Sequence, residues 1–163
     1  MGFSFENYCK AIKLSVNGRS SRSEYWSFFG FSWIYFIILF LLALFAEEYL
    51  PRVFLKALTL IIIVFLIFTF VINFCVMVRR LHDTGKTGWI AGGYYTLFFL
   101  SNLAGVSAAT ADFFSALIFI LWIVLLFLLC KKSSPFNNKY GESPLQERLS
   151  TDFKEINDEK SEK

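Results

Sequence analysis

The sequence predicts an all-α, polytopic membrane protein with about four transmembrane helices and an N-terminal interfacial helix. Three observations predict it. Apolar residues make up 56% of the 163, against about 45–50% in soluble domains, and mean hydropathy is +0.54. The excess sits in long runs, each close to the roughly 20 residues that a helix needs to cross a hydrocarbon core of about 30 Å. The net charge of +3 is modest, but its placement is not: Lys and Arg gather where the runs begin and end.

Residues Met1–Gly18 form an amphipathic lead. Phe5, Tyr8, Cys9, Ile12 and Val16 recur near helical spacing, and Glu6 with Lys10 has the i,i+4 order that supports a helix. The expectation is a short helix lying along the membrane surface. The first span follows at Tyr25–Ala46, too long for a signal-peptide core and with no Ala-x-Ala site after it. Tyr25 and Trp26 stand at its start, where amphipathic rings prefer the headgroup level. Glu47, Glu48, Pro51 and Arg52 make a tight turn, because proline cannot supply the amide hydrogen a helix interior needs.

The second span, Ala57–Val78, is built on Leu60–Phe68, an unbroken apolar run. Asn73 in its last turns is expected to face a neighbouring helix, since a bare amide is costly in hydrocarbon. The third, Trp89–Leu103, is short: 15 residues of helix reach only about 22 Å. Extension to Val106, local thinning or a re-entrant path would each accommodate it. Ala104–Asp112 reads as a loop or helical extension, and the fourth span, Phe113–Cys130, ends at Lys131 and Lys132. The resulting organisation is a cytoplasmic lead at 1–24, a four-span membrane domain at 25–130 and a cytoplasmic tail at 131–163. From Glu142 onward the tail holds seven acidic and four basic residues. Leu145, Leu149, Phe153 and Ile156 could line a weak helix, but so charged a segment is expected to be largely disordered.

Orientation follows from counting. Lys10, Lys13, Arg19, Arg22, Arg79, Arg80, Lys86, Lys131, Lys132 and Lys139 fall on one side, and only Arg52 and Lys56 on the other. Ten against two predicts that both termini are cytoplasmic. No basic face of a soluble fold is visible, so nucleic acid is not an expected partner. Cys9, Cys75 and Cys130 form no C-x-x-C, and one histidine is too few to complete a zinc site, so no metal or other cofactor is expected.

Two charged motifs interrupt the apolar pattern. Gly18–Trp26 reads G-R-S-S-R-S-E-Y-W, and Arg79–Trp89 reads R-R-L-H-D-T-G-K-T-G-W. Ser20, Ser21 or Ser23 can cap the first span's helix, with Glu24 in its positive first turn. Gly85 and Gly88 permit a sharp reversal. Arg19, Arg22, Arg79 and Arg80 have the planar donor geometry that binds phosphate, so anionic lipid heads are the expected partners. Asp83 is expected to pair with Arg19 or Arg22, and Glu24 with Arg79 or Arg80. As exposed pairs these would contribute only about 0–1 kcal/mol, and would matter chiefly for geometry. The contact set is completed by Trp26, His82 and Trp89.

These two motifs, with a closing Asn138, Tyr140, Gly141 and Pro144, resemble the bacterial membrane-protein family catalogued as domain of unknown function 805, over about Tyr8 to Pro144. The resemblance implies a small polytopic protein of the inner (plasma) membrane. The family's biochemical role is unassigned, so no catalytic residue carries over. His82 beside Asp83 invites an enzymatic reading, but adjacent turn residues rarely meet as base and orienting acid, and no nucleophile accompanies them. The expected function is a non-enzymatic membrane component that contacts lipid headgroups or a protein partner, which includes a second copy of itself. The alternative is a small transporter or channel acting as an oligomer, against which stands the scarcity of ionisable residues within the spans.

Overall fold

The computed structural model describes residues 3–103, 108–146, 149, 150, 153 and 157. Among them are five helices and no strand: α1 (Phe5–Ala11), α2 (Arg22–Tyr49), α3 (Arg52–Asp83), α4 (Trp89–Leu103) and α5 (Ala108–Cys130). The all-α membrane architecture read from the sequence is therefore the one observed. The chain divides into two compact units, Met1–Ser15 with Ser23–Val76, and Val16–Arg22 with Met77–Lys163.

In the first unit, Ser4 caps α1 by accepting from the Asn7 amide at 3.2 Å, and Lys10 bonds Glu6 at 2.6 Å across one exposed turn. The lead also packs on α2. The Phe3 ring stacks on Phe31 at 4.6 Å, and Tyr8 stacks on Phe28 at 5.7 Å. The Ser4 amide donates to the Ser27 hydroxyl at 3.2 Å. Gly30 leaves room for this layer: a Cβ there would lie 2.4 Å from the Phe3 ring, which would have to shift. Burial, and then the hydrogen bond with Tyr35, push the Tyr8 phenol above the usual tyrosine range, so it stays neutral. Leu50 and Pro51 separate α2 from α3 where proline predicts the break, and the Tyr35 and Phe65 rings meet edge-on at 5.3 Å.

α2, α3 and Asp112–Cys130 are each long and apolar enough to cross a membrane. Only 11%, 28% and 11% of their most apolar stretches are buried inside the protein, so most of that surface is left for lipid. At 32 residues α3 is about 48 Å long, more than the hydrocarbon needs, and its polar last turn continues past the apolar stretch ending at Val78. α4 has 15 residues and does not reach spanning length. In the second unit it packs against α5. α5 starts at Ala108, so part of the expected loop is helix, while residues 104–107, including Val106, lie outside the described residues. So does most of the chain beyond 146, the greater part of the tail expected at 131–163 to be largely disordered. Leu145, Leu149 and Phe153 are described and exposed.

Candidate functional site

The polar centre of the second unit is built on the end of α3. The helix stops in a Schellman turn: the Lys86 amide donates to the Leu81 carbonyl at 2.9 Å, and the Gly85 amide to that of His82 at 3.0 Å. Gly85 supplies the left-handed residue this turn demands, with φ of +75°. The Thr87 hydroxyl then caps α4 by accepting from the Trp89 amide at 3.1 Å. A Cβ on Gly88 would lie 2.6 Å from Val78 Cγ1, so the second glycine of the motif exists for close approach.

Asp83 sits in the last turn of α3 with no exposed side-chain surface and joins two arginines. Its Oδ1 accepts from Arg19 Nη2 at 2.9 Å and from Arg19 Nε at 3.1 Å. Its Oδ2 accepts from Arg80 Nη1. The Arg19 side chain is 1% exposed and that of Arg80 is fully buried. Two cations against one anion leave a surplus positive charge out of water, and main-chain oxygens answer it. Arg19 also donates to the carbonyls of Ser134 at 2.7 Å and Phe136 at 2.8 Å. Arg80 Nε donates to the Leu129 carbonyl at 3.1 Å, Nη2 to the Lys131 carbonyl, and Nη1 to the Ser133 hydroxyl at 3.1 Å. Leu129 and Lys131 flank the end of α5, whose last carbonyls have no partner within the helix. Arg80 is thus a C-terminal cap delivered from another helix, placed where the dipole favours a cation.

The segment after α5 closes over this cluster. Asn138 and Gly141 exchange both main-chain bonds across a tight turn, with Gly141 at φ of +129°. Asn138 Nδ2 donates to the His82 carbonyl at 2.9 Å. The Tyr140 ring lies on the His82 ring, centroids 3.8 Å apart and 3° from parallel. Lys139 Nζ stands 4.9 Å from the Tyr140 centroid. Ser143, fully buried, donates its hydroxyl to the Ser134 carbonyl at 3.0 Å and closes the loop.

Arg19, Arg80, His82 and Asp83 therefore meet in one clasp. Arg22 lies at its edge, with Nη1 3.5 Å from the Cys130 carbonyl. Arg79 is buried and contributes its carbonyl to the Ser20 amide at 3.2 Å. Trp89 stands apart from the clasp at 86% exposure. Glu24 and Trp26 belong to the first unit, where Trp26 packs on Tyr25 and Phe29. Of the pairings expected for Asp83, the one with Arg19 forms. It is buried rather than exposed, and Arg80 shares it. Missing from the sequence reading were Ser133, whose hydroxyl accepts from Arg80, and Ser134 and Phe136, whose main-chain carbonyls accept from Arg19. Asn138, Tyr140 and Gly141 left a trace in the closing motif.

A charge-stapled cap on lipid-exposed apolar helices defines a small polytopic integral membrane protein. The chain belongs to the family described as "Protein of unknown function (DUF805)", whose model matches residues 13–142. It is 28% identical over 139 residues to Inner membrane protein YhaI of Escherichia coli strain K12, covering 84% of this chain and 93% of that protein. Inner membrane protein YhaH of the same strain is 26% identical over 139 residues, covering 84% and 94%. No solved structure matches the chain significantly.

Proposed function

We propose that this chain is a non-enzymatic component of the bacterial inner membrane, with both termini in the cytoplasm, that contacts anionic lipid headgroups around its clasp. The membrane assignment draws on the names of its two relatives. The orientation draws on the ten-to-two distribution of basic residues. The observation that supports lipid contact is what the clasp leaves outside. Arg19 and Arg80 spend their donors on Asp83 and on carbonyls, so they hold the cap together. Lys86, Lys131 and Lys132 are exposed, and so are the rings of Trp89 and Phe136. Basic and aromatic side chains at the ends of apolar helices suit the phosphate and ester level of a bilayer. Headgroup contact thus falls to this collar and to Arg22.

Native mass spectrometry from mild detergent tests it. Replacing Arg22, Lys86, Lys131 and Lys132 with Gln should remove most of the co-purifying phosphatidylglycerol or cardiolipin and leave the melting temperature unchanged. Undiminished lipid would reject the headgroup reading and turn attention to a protein partner. In a cysteine-free background, a cysteine at Glu48 should react with an impermeant thiol reagent on intact cells, and one at Lys86 should not. The reverse pattern would invert the topology.

A further inference from the structure

Separate segments of the second unit meet on His82, in the last turn of α3. The Tyr140 ring of the closing segment lies over its imidazole, 3.8 Å away and 3° from parallel. Asn138 Nδ2 holds its carbonyl at 2.9 Å. The Gly18 main chain, just ahead of Arg19, hydrogen-bonds the imidazole. Gly88 comes so close that a Cβ there would lie 3.4 Å from His82 Nε2. The residue is half-buried, and its Nδ1 is shut off from water with no hydrogen-bond partner among the described residues.

The neutral ring tolerates this enclosure and the charged ring does not. Neutral imidazole can leave one nitrogen as a bare acceptor, and it stacks on a phenol as an ordinary aromatic pair. Imidazolium carries an N–H on both nitrogens, so protonation would bury a charged donor without an acceptor. The surrounding charges act in the same direction. On the closing segment, Lys139 Nζ already stands 4.9 Å from the Tyr140 centroid, so an imidazolium on that ring would be a second cation. The segment before α2 brings Arg19 and Arg22, and the turn after α3 brings Lys86. On α3 itself Arg79 and Arg80 are cations, and both oxygens of the acid, Asp83, are engaged by Arg19 and Arg80. Glu142 follows the closing turn and is exposed. Burial lowers the pKa of His82 below the ordinary 6.5; the Gly18 bond opposes this, and Lys139 lowers it further.

We propose that His82 is a proton-operated latch on the clasp. Neutral, it holds the Asn138–Gly141 turn through the ring stack. Protonated, its ring leaves the stack for water and the turn loosens. The Asn138 bond to the His82 carbonyl and the Arg19–Asp83–Arg80 ion pairs do not involve the imidazole, so acid loosens the turn without dismantling the clasp. The direction follows from linkage. A histidine whose pKa is lowered by folding contributes stability that is fully present above 6.5 and is lost as pH falls through the lowered value. The latch is independent of the headgroup collar.

His82 is the only histidine, so its ring signals report the latch directly. The full chain with isotope-labelled histidine, in detergent micelles, is titrated by nuclear magnetic resonance from about pH 7.5 to about pH 5. The midpoint should fall below 6.5, and the upfield shift due to Tyr140 should vanish along the same curve. Lys139→Gln should raise the midpoint. Amide hydrogen exchange at 138–141, corrected for its intrinsic pH dependence, should quicken several-fold over the same window, and the melting temperature should drop by a few degrees. His82→Phe keeps a ring on Tyr140 but takes up no proton, so its corrected exchange and its melting temperature should stay level. A midpoint at or above 6.5 would overturn the latch. So would a Tyr140 ring-current shift that persists after protonation, or a His82→Phe variant with the same acid response as the natural chain. Should His82→Phe fail to fold, the titration of the natural chain and of Lys139→Gln still decides between these outcomes.

Discussion

One helix, α3, holds two opposite solutions to burial. Along its apolar stretch Ile61, Val64 and Ile67 are 60–65% exposed, while in its last turn Arg80 and Asp83 are fully buried. A water-soluble protein would reverse this. The apolar stretch can stay uncovered because lipid is as good a solvent for it as another side chain, so burying it against protein gains little. Tertiary specificity then falls to groups that lipid cannot satisfy. The last turn of α3 carries such groups, Arg80 and Asp83, and together with Arg19 they organise the carbonyls of residues 129–136. The difference teaches where substitutions should be felt. Exchanges among apolar residues on the lipid face should matter little, and changes to the clasp should matter a great deal.

Asp83→Ala should show the largest effect. It leaves two buried guanidiniums without their shared anion, and removing one partner of a buried ionic group costs about 3–5 kcal/mol. Purified protein should lose most of its cooperative melting transition. Val64→Ala, by contrast, should shift it little. Equal effects of the two would break the comparison.

Gly88→Ala comes next. Its Cβ would meet Val78 Cγ1 at 2.6 Å, too close for any rotamer adjustment of valine to relieve cheaply. Overpacking of this kind costs about 1–3 kcal/mol. Thermal denaturation should show it. Pairing Gly88→Ala with Val78→Ala should recover part of the loss, since the smaller side chain removes the colliding methyl groups. Gly93→Ala is the control, because nothing lies within 4 Å of a Cβ there.

Much of the architecture was legible because its causes are local. Span length follows from apolar run length, the α2–α3 break from Pro51, and the end of α3 from Gly85. The 15 residues of α4 match the expected segment, Trp89–Leu103. The Arg19–Asp83 pair was legible as one of two options, since a lone acid in a basic turn must find a cation. The fold of residues 131–144 onto that pair was not. Most of its links to the arginines run through main-chain carbonyls, which any residue supplies, so Ser134 and Phe136 carry no side-chain signature of their role. Only where a particular residue type is required, the Asn138 amide, the Tyr140 ring and the left-handed Gly141, did the pattern show. The burial of the clasp was hidden for a related reason: charged residues read as solvated until the segment that covers them is placed.

Tyr140→Ala should have a smaller effect than either change above. It removes the ring on His82 but leaves the Asn138 bond to the His82 carbonyl intact. A stacked ring pair contributes about 0.5–1.5 kcal/mol beyond its buried area. Because His82 is the only histidine, its ring signals in a nuclear magnetic resonance spectrum are unambiguous. The ring current of Tyr140 should shift them upfield, and Tyr140→Ala should abolish that shift. Unmoved signals would show that the closing motif is held by its main chain alone.

The smallest effect is expected from ending the chain after Pro144. The clasp draws on residues up to Ser143, whose hydroxyl donates to the Ser134 carbonyl, and Pro144 is buried beside it. Beyond that point Leu145, Leu149 and Phe153 are 41%, 48% and 64% exposed, too open to contribute much packing. Truncation after Pro144 should leave membrane levels and the melting temperature close to those of the full chain, within about 0.5 kcal/mol of stability. Truncation after Ser133 should behave like a clasp mutant instead, because it removes the carbonyls of Ser134 and Phe136 that receive Arg19 together with the Asn138–Gly141 turn. The contrast between the two truncations locates the boundary of the folded cap. A large loss from the longer one would move that boundary past Pro144 and make the apolar residues of the tail part of the cap.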